Sequence, residues 1–386
     1  MLGQMAAMNM QQLTRSLLLY RITGSAAIMG AMMLVNAIPM LLLSLFGGII
    51  ADRVQKKYVL LIGQAALSAV SLGIALSLSS GYLSAENASS WWILIVASLI
   101  EGSVMALVMP SRQSMLAEIV KGEDLMNAIS LNTMGMNAFR LFGPAIAGFL
   151  IDAIGFEAVY FVTSGMYLIS VVFVALLPRT SSVRISGESV WTSMKGGIGY
   201  IRKETTILLV IIFTLTAAML AMPYQMLMPV FTETVLNVGA RQLGILMSVS
   251  GAGAMVGSLI LASLPNKRRG LMLLGSGVLL GLSLASFSLS NSWYASLAMV
   301  SIVGLAQSGQ MAVGTTLIQY YVDPKYMGRV MSIMLMQWGL VSFGAFIAGI
   351  LTESLGVQMA LGGFAVLLVL MSIATLIFVP RIRRLE

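Results

Sequence analysis

The chain has 386 residues, of which 58% are hydrophobic and only 9% are charged. So little charge cannot cover the surface of a water-soluble protein, and we therefore expect a membrane protein. The sequence contains no cysteine and no histidine, which excludes disulfides, the common zinc sites and histidine-based catalysis. The formal net charge of +8 is compatible with a nucleic-acid partner or with a membrane surface, and its distribution along the chain distinguishes the two.

Apolar runs recur along the whole chain between clusters of glycine, proline and charge. Runs of about 20 residues are long enough to cross a hydrocarbon core of ~30 Å. The N-terminal run lacks the basic segment of a cleavable signal peptide, so it counts as a span. The pattern predicts twelve spans, at residues 2–20, 25–51, 58–80, 91–115, 126–151, 156–177, 206–231, 241–264, 270–290, 293–320, 327–351 and 356–379.

Lysine and arginine are unevenly distributed among the loops. If the N-terminus is cytoplasmic, the outer loops hold only Arg21 and Arg241. This bias follows the positive-inside rule, so both termini are predicted to be cytoplasmic and the positive charge is assigned to orientation in the membrane rather than to nucleic acid. In that orientation 18 of the 22 lysines and arginines lie in the cytoplasmic segments 52–57, 112–125, 178–205, 265–269, 323–329 and 380–386.

Two segments of the chain repeat each other. GPAIAGFLIDAIG at 143–155 matches GAFIAGILTESLG at 344–356, an offset of 201 residues. The duplication predicts an all-α membrane protein of twelve transmembrane helices in two six-helix bundles. The bundles are expected at 1–177 and 206–386, joined by a cytoplasmic linker at 178–205. In parallel repeats of this kind the substrate site lies between the halves, near the midplane of the bilayer.

Three charged residues are predicted to lie deep within spans: Arg15, Glu101 and Arg140. An unpaired charge at the bilayer centre costs about 2.5–3.5 kcal/mol, so each of them needs a partner or water. Glu101 and Arg140 each lie about ten residues from the outer end of their spans, so we expect them at the same depth and paired. The pair is either a static contact or a protonation site, in which Glu101 carries the proton.

The loop GGIIADRVQKK at 47–57 resembles the signature of the major facilitator superfamily, in which an acidic residue and a basic pair follow a glycine. The matching residues are Gly48, Asp52, Arg53, Lys56 and Lys57. The predicted spans, the repeat and the long central linker extend the resemblance to the whole chain. Locally the chain is most similar to bacterial exporters of the enterobactin-exporter and macrolide-efflux type, through LGQ at 2–4, ITGSAA at 22–27, MPSRQSMLAEIV at 109–120 and FRLFGPAIAG at 139–148.

The resemblance implies an inner gate at this loop. Asp52 would contact the N-terminus of span eleven in the closed gate, because free N–H groups and the positive end of the helix dipole attract a carboxylate. Arg112, near the inner end of span four, is a second expected partner, and Gly48 would let span two approach span eleven. The alternative is that Asp52 only caps its own turn.

The resemblance also implies a substrate cavity lined by spans one, four, seven and ten. Span seven is expected to be broken, because Pro223 and Pro229 both fall within it. Each polar candidate can instead form a structural hydrogen bond between helices. The candidates for the cavity wall are Gln11, Gln12, Arg15, Asn36, Met105, Gln225, Gln307, Gln310 and Gln337.

Two features of the resemblance concern the coupling of transport to proton movement. Related exporters often carry a Gly–Asp pair where this chain has Met10 and Gln11, which leaves Glu101 as the expected proton carrier, or no proton coupling at all. The GPAIAG segment resembles the antiporter motif of the superfamily, with Gly143, Pro144 and Gly148 as the matching residues. Helix packing alone would also favour small residues there.

These observations together predict a secondary transporter that exports amphipathic small molecules, such as a drug, a siderophore or a metabolite, by proton antiport and alternating access. We expect a monomer in the cell (inner) membrane, with no cofactor, no metal and no nucleic-acid partner. One alternative is a facilitator or importer without proton coupling, and another is a receptor or scaffold on the same fold. An enzyme is not expected, because no nucleophile–base pair can be assembled without histidine or cysteine.

Overall fold

A computed structural model describes the backbone of the chain except at residues 1, 54, 120–123, 178–189, 265–266, 335 and 386. Side chains are described for the same residues, except for residues 2, 44–53, 88, 113–114, 116–119, 125–126, 129, 190–195, 197 and 332. Helices joined by short connections make up this part of the chain, and no strand occurs within it.

The described residues form sixteen α-helices. A 3-10 turn, Ala88–Trp91, precedes the fourth of them. The helices are α1 (Leu2–Thr23), α2 (Ala26–Arg53), α3 (Lys56–Ser79), α4 (Trp92–Ile119), α5 (Asp124–Ala153), α6 (Phe156–Ala175), α7 (Val190–Lys203), α8 (Thr205–Ala221), α9 (Pro223–Thr234), α10 (Ala240–Ser263), α11 (Arg269–Ser288), α12 (Trp293–Tyr321), α13 (Met327–Met334), α14 (Gln337–Leu355), α15 (Val357–Phe378) and α16 (Pro380–Arg383).

Within the described ranges, eleven helical segments are long and apolar enough to cross a membrane. The remaining expected span is α1, which has 22 residues but carries Gln4, Gln11 and Arg15 among its apolar residues. Its side chains are largely buried inside the protein, with Leu13 at 0% exposure and Leu17 at 1%. A helix enclosed by other helices needs less apolar surface than one that faces lipid, so the twelve-helix architecture is confirmed with α1 as the first span.

Two of the twelve spans are each formed by two helices. Span seven consists of α8 and α9, and the break falls at Met222, directly before Pro223. This break was predicted, since proline removes a backbone donor and clashes with the preceding turn. Span eleven was expected to be continuous over 327–351, but α13 ends at Met334 and α14 begins at Gln337. No proline or charge marks this second break in the sequence.

Contacts between Cα atoms divide the chain into two units. The first comprises the described residues of Met1–Ser186 and Val238–Ser248, and the second those of Gly187–Asn237 and Val249–Glu386. The first nine residues of α10 therefore group with the first unit. The division expected from the sequence, into 1–177 and 206–386, had assigned residues 238–248 to the second bundle.

The same pairs of spans pack together inside each unit. In the first unit α1 packs on α5, and α3 packs on α6 and α4. In the second unit α8 packs on α14, and α11 packs on α15 and α12. The two repeated segments have equivalent neighbours, because Gly143 of α5 lies against Asn9 of α1 and Gly344 of α14 lies against Met219 of α8. The sequence repeat is therefore also a repeat of helix packing.

The last glycine of each repeated segment forms a sharp turn between two helices. Gly155 separates α5 from α6 with φ of 116°, and Gly356 separates α14 from α15 with φ of 85°. Residues with a Cβ rarely adopt positive φ, so glycine is required at both turns. These turns set the start of the helix that follows each repeated segment.

Candidate functional site

An ion pair lies inside the first unit, between α1 and α4. Nη1 of Arg15 donates a hydrogen bond to Oε2 of Glu101. Only 18% of the Arg15 side chain and 12% of the Glu101 side chain are exposed. Two charges withdrawn from water to this extent are stable only together, because either one alone would lack a compensating charge.

The partner of Glu101 differs from the one expected. The sequence predicted Arg140, but the recorded ion pair joins Glu101 to Arg15. Glu101 lies nine residues after the start of α4 and Arg15 lies eight residues before the end of α1, so their depths match. Arg140 lies thirteen residues before the end of α5, which continues to Ala153. That places Arg140 about four residues, or roughly 6 Å, farther from the outer ends of the helices.

Helix packing gives a second reason for the difference. α4 packs mainly against α2 and α3, whereas α5 packs mainly against α1 and α6. α4 and α5 follow each other in the sequence, but they are not close neighbours in the structure. The long side chain of Arg15 extends from α1 to the carboxylate of α4. Arg140 is half-buried in α5.

A network of uncharged side chains surrounds Gln11. Its Nε2 donates to Oγ of Ser71 at 2.5 Å and to Oγ1 of Thr163 at 3.1 Å. The hydroxyl of Tyr167 donates to Oε1 of Gln11 at 3.3 Å. Tyr167 and Tyr160, one above the other on α6, both interact electrostatically with the Arg15–Glu101 pair. The pair thus lies beside a polar network that connects α1, α3 and α6.

The sequence did not identify three buried α6 residues at this site. Tyr160, Thr163 and Tyr167 recur at intervals of three and four, which places them on one face of a helix. All three are buried, with exposures of 1%, 0% and 1%. That spacing was the available signal, whereas the candidates expected from the sequence were charged residues, amides and a methionine.

The other cavity candidates of the first unit have varied positions. Gln11 lies within the network and uses its amide to join helices, which differs from the cavity-lining position expected for it. Gln12 is exposed. Nδ2 of Asn36 donates to the carbonyl oxygen of Ser98 at 2.9 Å and so joins α2 to α4. Met105 is half-buried and packs on a small apolar cluster of α1, α3 and α6.

A pocket that spans about 300 Å³, open solvent included, lies in the second unit. It brings together three of the candidates predicted from the sequence, Gln307, Gln310 and Gln337. Both helix breaks contribute to its wall, through Met222 in span seven and through Gln337 at the start of α14. The remaining lining residues are Thr214, Ala218, Ala221 and Met311. The sequence did not identify Thr214 or Met222, since neither stands out in an apolar helix.

Gln225 does not line this pocket. Its Nε2 is 3.5 Å from the hydroxyl oxygen of Tyr224. The same hydroxyl is 2.9 Å from Oγ of Ser250, so this part of α9 is tied to α10. Gln225 therefore lies beside a helix-to-helix contact within the second unit.

The predicted gate residues fall partly outside the described side chains. This applies to Gly48, Asp52 and Arg53, although the backbone of all three continues α2. Lys56 and Arg112 are both buried, with exposures of 8% and 7%.

Lys57, the last of the basic pair, has a structural contact. Its Nζ donates to the carbonyl oxygens of Ala175 at 2.7 Å and Leu177 at 2.6 Å. These carbonyls lie at the C-terminal end of α6, where a positive charge is favourable. Lys57 therefore stabilises a helix end within the first unit.

The residues of the GPAIAG segment, which resembles the antiporter motif, form close helix contacts. Gly148 of α5 lies against the backbone oxygen of Ala240 in α10, with no room for a Cβ. Gly244 of α10 in turn lies against the backbone oxygen of Pro144. Together with the contact of Gly143 with α1, these approaches show that the motif packs α5 tightly on two neighbouring helices.

Comparisons with known proteins agree with this architecture. The family model described as Major Facilitator Superfamily matches residues 1–343 and 266–386. The staphyloferrin A transporter of Staphylococcus aureus is 24% identical over 335 residues, covering 86% of this chain and 83% of the relative. Macrolide efflux protein A of Streptococcus pyogenes is 20% identical over 317 residues, covering 81% of this chain and 77% of the relative.

A solved structure of the nucleoside transporter NupG, a D323A mutant, has a similar fold. It superimposes with a TM-score of 0.80 over 97% of each chain, at 16% sequence identity. At this level of identity the likeness concerns the fold alone.

The helical architecture, the internal repeat and the buried polar sites define a multi-pass membrane transporter. The chain belongs to the Major Facilitator Superfamily, whose model matches it along its length. It is a transporter and not an enzyme, as the sequence predicted.

Proposed function

We propose that this protein is a secondary active transporter that exports amphipathic small molecules by alternating access, driven by proton antiport through Glu101. The observation that carries the proposal is the buried ion pair between Arg15 and Glu101. A carboxylate buried inside a membrane protein, and not needed for a metal or for catalysis, is by default a candidate for ion or proton movement.

The pair provides a physical basis for coupling. While Arg15 contacts Glu101, the negative charge of the carboxylate is compensated. A conformational change that separates the two leaves a buried charge without compensation, and proton uptake removes that charge. The neighbouring network of Gln11 and Tyr167 holds α1 against α6, so a movement of α1 would disturb the ion pair and the network together.

Export of amphipathic molecules has two supports. One relative is described as a macrolide efflux protein and another as a staphyloferrin A transporter. The pocket of the second unit combines three glutamines with methionine and alanine side chains, a mixture that suits ligands with both polar and apolar parts.

The proposal includes the location and the orientation of the protein. We place it in the plasma membrane, as a monomer with both termini in the cytoplasm. The support is the charge bias of the loops, where only Arg21 and Arg241 fall on the proposed outer side.

Substrate flux in proteoliposomes tests the proposed function. The purified full-length chain is reconstituted, and uptake of a fluorescent dye and a small drug panel is followed with and without an imposed pH gradient. We expect accumulation above equilibrium only with a gradient of the correct direction, and none in protein-free liposomes. Flux that depends only on the substrate gradient would favour the facilitator alternative and contradict proton antiport.

A further inference from the structure

The pocket of the second unit contains polar groups that the surrounding protein does not satisfy. Nε2 of Gln310 and Oγ1 of Thr214 form no hydrogen bond with any other described residue. Both residues are deeply buried, with exposures of 5% and 4%. A buried donor without a partner costs about 1–3 kcal/mol, so these groups are expected to acquire a partner when the pocket is filled.

We propose that this pocket is a subsite for an uncharged part of the substrate that carries hydrogen-bond acceptors, such as carbonyl, ester or hydroxyl oxygens, next to an apolar surface. The inference rests on the proposed transport function, because it assigns the chemistry of the transported molecule. It concerns equilibrium binding, which does not require proton coupling.

The chemistry of the pocket determines what it can accept. Its described lining contains no lysine, arginine, aspartate or glutamate. An ionised group placed there would lose its hydration without gaining a counter-charge, which is costly. The amide of Gln310 and the hydroxyl of Thr214 are donors that match an oxygen acceptor. The lining therefore favours neutral groups over both anions and cations.

The apolar part of the wall favours a ligand with its own apolar surface. Met222 and Met311 are flexible and polarisable, so they adapt to ligands of different shape. Ala218 and Ala221 on α8 leave space beside them. The space of about 300 Å³ includes open solvent, so the pocket encloses one small group of a ligand and not a whole drug-sized molecule.

The position of the pocket connects binding to movement of the helices. Met222 is the break between α8 and α9, and Gln337 is the first residue of α14. A ligand that bonds to this site therefore contacts two spans at the points where their helices are interrupted. A ligand that binds there can favour one angle between the helix segments over another, as expected of a subsite that takes part in transport.

Equilibrium binding to the purified full-length chain in detergent tests this inference. The probes are chloramphenicol and hydrocortisone, which are neutral and rich in oxygen acceptors, with tetraphenylphosphonium and a naphthalenesulfonate as charged apolar comparisons. We expect saturable binding of at least one neutral probe. Gln310→Leu should weaken it roughly tenfold, the equivalent of about 1.4 kcal/mol for one lost hydrogen bond. Neither charged probe should compete for this site.

Two further variants control for folding and for loss of an amide. Gln358→Leu makes the same change at a half-buried glutamine that donates to Asn291 and is not part of the pocket lining, and it should bind like the wild type. Thr214→Val conserves the side-chain shape and should weaken binding in the same direction as Gln310→Leu, even if the latter fails to fold. Equal affinity in Gln310→Leu and Gln358→Leu, or binding restricted to the charged probes, would overturn the inference. If binding depends on Gln310 but no flux responds to a pH gradient, only the proposed antiport is contradicted.

Discussion

Arg15 of α1 and Glu101 of α4 form an ion pair in the interior of the first unit, where both side chains are largely removed from solvent. Arg15 and Glu101 pair because they lie at equal depth, although α1 and α4 are not adjacent in the sequence. Each of the two residues therefore depends on the other, because removing either one leaves the other as a buried charge.

Thermal unfolding of single and double variants tests this dependence. Arg15→Gln leaves the Glu101 carboxylate without its partner, and we expect a loss of stability of about 3–5 kcal/mol, seen as a lower unfolding midpoint. Arg15→Gln combined with Glu101→Gln removes both charges and should recover most of that loss. The exposed arginine of the same helix, Arg21, provides the control Arg21→Gln, which should remain close to wild type. Additive losses in the double variant would show that the two residues are independent.

The hydrogen bond from Tyr167 to Gln11 predicts a smaller effect. Tyr167→Phe conserves the ring but removes the donor, so Oε1 of Gln11 loses one partner in a buried site. We expect a loss of about 1 kcal/mol in the free energy of unfolding. The control is Tyr58→Phe, at a position that is 43% exposed. An unchanged midpoint in Tyr167→Phe would mean that the network contributes nothing to the packing of α1 on α6.

The tight contact of α5 with α10 predicts that Gly148 cannot be replaced. A Cβ at this position meets the backbone oxygen of Ala240, which cannot rotate away. Gly148→Ala should therefore lower stability by about 1–3 kcal/mol through overpacking. Gly165 of α6 is a matched control, because a Cβ there has no heavy atom within 4 Å. Gly165→Ala should be neutral or slightly stabilising, and the same result for Gly148→Ala would contradict the packing argument.

The proposed inner gate predicts a state-dependent cross-link. The chain has no cysteine, so introduced pairs report without background. Cysteines at 52 and 327 should cross-link efficiently when the inner gate is closed, and Asp52→Asn should insert normally but transport slowly. A pair at 52 and 294 is the control and should not react, because Tyr294, the second residue of α12, belongs to the proposed outer side of the membrane. Normal transport by a protein whose 52 and 327 positions never cross-link would rule out the gate.

Much of the architecture was predictable from the sequence because it depends on local patterns. Apolar length gave the spans, and the repeat ending in Gly155 and Gly356 gave the duplicated packing, since positive φ requires glycine at both turns. Pro223 predicted the break in span seven. The break before Gln337 was not predictable, because no residue type that interrupts helices marks it.

The candidate site was predictable only in part, because partners depend on three-dimensional packing. Gln307, Gln310 and Gln337 were identified as polar residues at mid-span depth, and the structure brings them to one pocket. The partner predicted for Glu101, Arg140, differs from the observed partner, Arg15, because chain order suggested that α4 and α5 were neighbours. Tyr160 and Tyr167 were missed because their polar groups become significant only when α6 packs against α1 and α3.

Glu101 is proposed to couple proton movement to export, and one variant tests this coupling most directly. Glu101→Gln mimics the protonated carboxyl group permanently. In proteoliposomes, we expect it to lose uphill transport driven by a pH gradient but to retain downhill exchange of the same substrate, at equal amounts of folded protein. If Glu101→Gln still accumulates substrate against its gradient at the wild-type rate, Glu101 is a structural residue and the proposed coupling is contradicted.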